Sequence, residues 1–142
     1  MIATIAETDQ QRKDALYIRN EVFINEQKVS PEIEMDELDE TSVHVVLYDG
    51  EKPVAAGRTR LFEGMGKLER ICVLKSYRSK GCGKQIVNAL EKAAAAKLGA
   101  SSFLLYSQVQ AAVFYEAQGY KTVSGEFLAA GIPHVKMIKE KL

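Results

Sequence analysis

Apolar residues recur with two different periods along this chain, and the changes of period divide it into elements. Ala15, Ile18 and Val22 fall at helical steps after Thr8 and Asp9, either of which suits an N-cap, so a helix is predicted to start there and end near Glu26. Residues 2–6 ahead of it read as a short strand. Residues 43–48 and 53–61 are β-branched or apolar runs joined by Asp49-Gly50, the composition of a hairpin, and 67–73 is a third run after the turn-prone Gly64-Met65-Gly66. The period then lengthens: Val87, Leu90, Ala94 and Leu98 are spaced by three and four, and Gly99 stands where a helix end takes a left-handed residue. Residues 102–106 read as a short buried strand, 109–118 as a helix closed by Gly119, and 120–142 as a strand pair broken at Gly131-Ile132-Pro133.

The order is strand, helix, three strands, helix, strand, helix, two strands. A strand that returns to its sheet through a helix pairs in parallel, whereas hairpin strands pair antiparallel. The expected fold class is therefore α+β (mixed α/β), with a mixed, mostly antiparallel sheet. At 142 residues the chain is expected to be a single domain, 1–142, able to bury one core without disulfides or a structural metal.

Composition narrows the function classes. Nineteen basic and nineteen acidic residues balance, so bulk charge favours neither nucleic acid nor an anionic membrane. No apolar run approaches the roughly 20 residues of a membrane span, and the first seven residues are too short and lack the basic flank for a signal peptide. Cys72 and Cys82 have neither the number nor the spacing of a disulfide framework or a zinc site, which suits a reducing, cytoplasmic setting. The two histidines, His44 and His134, have no close Cys, Asp or Glu constellation, and no metal is expected. Six acids crowd residues 32–40 after Ser30-Pro31; this stretch reads as a loop, either solvated or placed to attract a cationic amine.

The segment Tyr77-Arg78-Ser79-Lys80-Gly81-Cys82-Gly83-Lys84 lies between the third strand of the run and the strongest helix. A loop feeding a helix N-terminus presents unpaired N–H groups and the positive end of the helix dipole, so it favours an anion such as phosphate. Gly81 and Gly83 remove side chains that would bar a phosphate, and Arg78, Lys80 and Lys84 add positive charge. It is not a Walker A loop, because Arg78 stands at the first glycine's place and Gln85 where Ser or Thr ligates magnesium. Nor is it a Rossmann fingerprint, since Ile86 replaces the third glycine. An ordinary glycine-containing turn with solvated basic residues is the alternative.

Arg78-x-x-Gly81-x-Gly83 resembles the Arg/Gln-x-x-Gly-x-Gly/Ala signature of the GNAT N-acetyltransferase superfamily. Ile71-Cys72-Val73 is similar to the family's strand just upstream, and Gln108-x-x-Ala111-x-x-Phe114-Tyr115-x-x-x-Gly119-Tyr120 to its Asn-x-x-Ala-x-x-Phe-Tyr-x-x-x-Gly-Phe segment. Arg19-Asn20-Glu21-Val22-Phe23, Glu26-Gln27, Asp36, Asp39, His44 and Gly131-Ile132-Pro133-His134 resemble a bacterial YjcF-like branch, so nearly the whole chain is covered.

The resemblance implies a fold with helices on both faces of the sheet, in which the parallel strands at 67–73 and 102–106 splay apart at their C-terminal ends. It implies acetyl-CoA as the acyl donor, its pantetheine arm paired with the backbone of Ile71, Cys72 and Val73 and its pyrophosphate on the N–H groups of Ser79, Lys80, Gly81, Cys82, Gly83 and Lys84. Gln108 is a further candidate cofactor contact, standing where the family commonly has Asn, a departure that changes the reach of the amide.

The implied acceptor is an amine, on a small molecule or a peptide. The resemblance puts Tyr115 where many members of the family hold a tyrosine near the coenzyme sulfur, from which a phenol can protonate the leaving thiolate, with packing as a core aromatic the alternative. Glu69, two residues before Ile71 and on the same face of a regular strand, is the candidate base, directly or through water. Ile71 or Val73 can offer an N–H to the developing oxyanion. Glu26 and Gln27 are candidates for the acceptor entrance and His134 for a substrate-side group. Cys82 between its glycines reads as a small residue in a tight loop and Cys72 as a buried side chain. A homodimer is compatible with the sequence. A non-catalytic CoA-binding regulatory module is the second reading and a nucleotide-binding domain the third.

Overall fold

The helix predicted near Thr8 begins with a reciprocal cap: the Thr8 hydroxyl accepts from the Gln11 N–H at 3.1 Å, and the Gln11 side chain accepts from the Thr8 N–H at 3.1 Å. The computed structural model of the chain describes residues 1–34 and 36–141, Ile33 by its backbone alone. Met35 in the acidic stretch and Leu142 at the end of the last expected strand lie outside the described residues.

In chain order the elements are β1 (Ile2–Ile5), α1 (Asp9–Arg19), a π-helical continuation (Asn20–Glu26), α2 (Pro31–Glu34), β2 (Val43–Asp49), β3 (Lys52–Phe62), β4 (Met65–Val73), α3 (Cys82–Leu98), β5 (Phe103–Gln108), α4 (Ala112–Ala117), β6 (Lys121–Thr122), β7 (Phe127–Ala129) and β8 (Ile132–Lys139). Among the described residues, eight strands form one sheet in the order β1-β2-β3-β4-β5-β8-β6, with β7 on β8. Of these pairs β4 with β5 is parallel and the rest are antiparallel, as the connection rules require.

Each face of the sheet carries its own core. Val45, Ala55, Leu68 and Leu105 point to α3 and bury Ile86, Leu90 and Ala94, while Val46, Ala56 and Cys72 point to α1 and bury Ala15 and Ile18. Helices on both faces follow from that alternation. β4 approaches α3 so closely that a Cβ at Gly66 would stand 2.8 Å from the Cβ of Ala94, so only glycine fits there.

Three differences from the sequence expectations shape the site. Asn20–Glu26 winds as a π-helix, with the Gln27 N–H donating to the Val22 carbonyl at 3.0 Å, so the wider turn keeps Val22 in the core and leaves Phe23 toward the cleft. The acidic stretch is not a solvated loop: it forms α2 and a 3₁₀ turn at Glu37–Asp39 that lie against the sheet. Residues 109–118 do not make one helix, because Val109–Ala111 is a 3₁₀ turn and only Ala112–Ala117 is α-helical.

The third strand of the run is also irregular. β3 pairs Ala56 with Cys72 and Arg58 with Glu69, so β4 spends one residue more than β3 between those rungs, and Arg70 takes φ 55°. This bulge reverses the alternation. Leu68, before it, faces α3, and Cys72, four residues on, faces α1.

Candidate active site

Pairing of β4 with β5 runs from Gly66↔Phe103 to Leu68↔Leu105 and stops there, although β4 continues to Val73 and β5 to Gln108. The strands part where β4 bulges, which opens a cleft of about 420 Å³ in the sheet. Glu69, Ile71, Gln108 and Tyr115 line it together with Gln27 and His134. The structure thus brings together candidate residues from four separate segments.

The cradle loop follows β4 and is tied to its end by Arg78, which donates to the Val73 carbonyl at 3.1 Å, though none of residues 77–84 lines the cleft. Gly81 is the N-cap of α3 with φ 82° and no side-chain cap, and Ser79 also has φ 64°. The first-turn N–H groups of a 17-residue helix are therefore unshielded by the protein's own side chains. Ser79, Lys80, Gly81 and Lys84 are exposed, whereas Cys82 is buried and fills space under the loop. A Cβ at Gly83 would stand 3.2 Å from the Phe114 ring, so this glycine also seats α4 against the start of α3. Donor set, helix polarity and exposure fit a diphosphate.

Arg78 is engaged by the protein itself. Its guanidinium forms two 2.7 Å bonds to the Glu26 carboxylate and donates to the Val73 carbonyl at 3.1 Å. Glu26, expected at the acceptor entrance, thus ties the π-helix to the cradle loop, and of the pair expected there Gln27 is the one lining the cleft. Gln108 accepts from the Gln110 amide at 2.7 Å, and His134 uses Nδ1 with the Ile132 carbonyl at 2.7 Å while stacking on Phe127.

The Tyr115 ring packs edge-on to Phe114 at 5.0 Å, and among the described residues its hydroxyl has no hydrogen-bond partner. Burial pushes its phenol up from 10.0 to about 12, which keeps it protonated at neutral pH. Glu69 is differently placed from what a regular strand implies. Because of the bulge at Arg70 it faces the α1 side with Arg58, while Ile71 packs toward α3. Its carboxylate is held by Arg60 Nε at 2.8 Å, Lys67 Nζ at 3.1 Å and Arg58 Nη2 at 3.1 Å. Burial raises its pKa, but the Arg60 hydrogen bond and the Arg58 and Lys67 charges outweigh that and bring it from 4.5 to about 2.

Charges that the sequence did not mark as a group surround this carboxylate. Arg19, fully buried, bonds Glu34 at 2.7 Å and Asp39 at 2.6 Å, and Arg58, 1% exposed, bonds Asp36 and Asp39 at 2.7 Å each. Arg70 reaches Asp36 at 3.3 Å. The inward acids of the 32–40 stretch are thus neutralised by arginines of α1, β3 and β4, so they are a clamp on the sheet and not a lure for cations. The alternation of Arg58 and Arg60 opposite Lys67 and Glu69 was the available signal, since period two puts all four on one sheet face. His44 lies beneath, Nε2 on the Asp39 carbonyl at 2.8 Å. Cys72 is buried, which pushes its thiol up to about 12. Among the described residues no His, Cys, Asp or Glu side chains are grouped as a metal site needs, and no helix is long and apolar enough to cross a membrane.

The network makes acid stability predictable. The Arg58 hydrogen bond lowers Asp36 from 3.8 to about 2, in step with Glu69, and burial lowers His44 from 6.5. Groups whose folded pKa is depressed contribute stability that is present above their unfolded pKa and lost as pH falls toward the folded one. Thermal melts are expected to show Tm declining gently below pH 6.5 and steeply between pH 4.5 and about 2. A flat Tm across the lower window would show that these pairs contribute nothing.

Residues 5–141 match the family described as Acetyltransferase (GNAT) domain. The chain is 58% identical over 141 residues, 99% of its length and 100% of the other, to the uncharacterized N-acetyltransferase YjcF of Bacillus subtilis (strain 168). A crystal structure from Lactobacillus plantarum is similar at TM-score 0.90 and 28% identity, over 99% of this chain and 98% of that one. That of an acyl-CoA N-acyltransferase from Pseudomonas aeruginosa is similar at TM-score 0.84 and 26% identity, over 98% and 99%.

Proposed function

Since this chain belongs to the GNAT acetyltransferase family, we propose that it transfers the acetyl group of acetyl-CoA to an amine by direct attack in a ternary complex. The observation that carries this reading is the uncapped N-terminus of α3 at Gly81, which the chain reaches directly after β4, the strand that parts from β5. In it, the N–H groups from Ser79 to Lys84 bind the diphosphate, with Lys80 and Lys84 adding charge. The backbone of Ile71, Cys72 and Val73 takes the pantetheine arm where β5 no longer pairs with β4. When bound, acetyl-CoA supplies an activated acyl group and a thiol leaving group. Tyr115, protonated and without a hydrogen-bond partner among the described residues, donates to the departing sulfur. Ile71 or Val73 supplies the N–H for the oxyanion.

A carboxylate with a pKa near 2 is a weak base, so the amine's proton leaves through water and Glu69 contributes negative potential beside it. The acceptor, on a small molecule or a peptide, enters from the side of Gln27 and His134. The free, buried thiols of Cys72 and Cys82 suit the cytoplasm.

The ties on Glu69, together with Gln108 engaged by Gln110, favour a second reading as a CoA-binding regulatory module. Calorimetry with acetyl-CoA and CoA, followed by a panel of amines with free thiol as the readout, separates the two. Binding with thiol release supports the transferase; binding without transfer to any amine supports the module. Absence of binding removes both.

A further inference from the structure

Acetyl transfer as described leaves one group of the cleft without a role. Lys67 lies on β4 opposite Leu104, one residue before the parallel pairing ends, and is 7% exposed. It lines the same cleft as Glu69, Tyr106 and Tyr115. Its Nζ is 3.1 Å from Glu69 Oε2, 4.0 Å from the Tyr106 ring centroid and 4.6 Å from that of Phe62. Leu68 faces α3, so Lys67 and Glu69 project to the opposite face of the sheet. A carboxylate and two aromatic faces therefore hold a primary amine of the protein inside the cleft that the acetyl-transfer reading assigns to the acceptor.

Burial opposes the charged form of this amine and lowers its pKa, which raises the share of the nucleophilic neutral form relative to a surface lysine. The partly buried ammonium groups of Lys136 and Lys139 are bound to Glu63 and Glu91 at 3.1 Å each and do not line the cleft. Lys80 and Lys84 stand at the cradle loop but are exposed.

We propose that Lys67 is itself an acetyl acceptor, so that with acetyl-CoA bound and no amine present the protein acetylates its own cleft. This rests on the acetyl-CoA reading above. The neutral Nζ attacks the thioester carbonyl, the C–N bond forms and the C–S bond breaks. The nitrogen loses its proton to water, and the sulfur gains one from Tyr115, which water restores. Lysine amine and acetyl-CoA become acetyl-lysine and CoA, with no oxidant or reductant needed. Holding amine and thioester in one cleft replaces a bimolecular encounter, which favours this lysine over those in solvent. The product removes a cation from Glu69, leaving it to Arg58 and Arg60, and replaces an ammonium over Tyr106 with an amide.

The test incubates the full chain with acetyl-CoA without amine, measures binding by calorimetry, and maps acetyl groups by peptide mass spectrometry. Acetylation of Lys67 is expected to outpace that of Lys80 and Lys84 by more than about tenfold, as an intramolecular reaction does. Excess CoA is expected to suppress it, and unfolding the chain in urea to abolish the preference. Lys67→Arg serves as a second check, while mapping of the wild-type chain decides the matter even if that variant does not fold. Binding of acetyl-CoA without acetyl-Lys67, or acetyl groups spread over the exposed lysines, overturns this proposal alone. No binding overturns it together with the transferase reading.

Discussion

Replacing Tyr115 by Phe is expected to lower kcat by about a hundredfold or more, the contribution of a positioned general acid, while leaving the acetyl-CoA dissociation constant unchanged. The ring contacts survive the change, since Phe keeps the edge-on packing against Phe114 at 5.0 Å and Tyr120 at 6.1 Å. The Tyr115 hydroxyl has no hydrogen-bond partner among the described residues, so removing it leaves no buried donor or acceptor stranded. Steady-state thiol release and calorimetry on both proteins check this. Equal turnover would take Tyr115 out of the mechanism and leave it a packing residue; a parallel loss of binding and turnover would mean that it holds the pantetheine arm.

Arg19→Met is expected to destabilise the chain by about 3–5 kcal/mol, the cost of breaking a buried ion pair on one side. Arg19 is fully buried, bonds Glu34 at 2.7 Å and also binds Asp39. Methionine fills the aliphatic volume but withdraws the guanidinium from both carboxylates. Adding Glu34→Gln to the variant is expected to recover some of the loss, because a neutral amide is cheaper to bury than a carboxylate short of its cation. Urea unfolding of the single and double variants measures both steps. A single variant as stable as the wild type would mean that water reaches these carboxylates and that α2 is not clamped to the sheet. Since α1 runs into the π-helix that carries Phe23, with Gln27 at its end, acceptor turnover in the single variant is expected to fall with stability.

Elements whose signal is local are legible in the sequence. Thr8 and Gln11 cap α1, Gly99 ends α3 with φ 67°, and the Asp49-Gly50 turn joins β2 to β3. The loop proposed to hold the diphosphate is local in the same way, because Gly81 and the basic residues near it lie in one turn that opens one helix. The bulge at Arg70 is not legible. Nothing in Leu68-Glu69-Arg70-Ile71-Cys72 distinguishes it from a regular strand, and the extra residue appears only when β3 is laid beside it. That bulge separates Glu69 from Ile71 and turns the expected base toward the arginines. The acid-rich stretch is misleading for the same reason: as composition it reads as solvated, but its partners Arg19 and Arg58 lie 15 to 22 residues away in sequence.

The strands β1 to β5, the helices α1 and α3 and the loop that opens α3 were determined by the sequence alone, since periodicity, caps and glycine positions act over a few neighbouring residues. Tertiary structure decided where β4 and β5 part, which carboxylates are tied and which cations hold them. Those outcomes depend on cross-strand register and on charges brought out of water together, and neither the register nor the dielectric around a side chain is written in its neighbours along the chain.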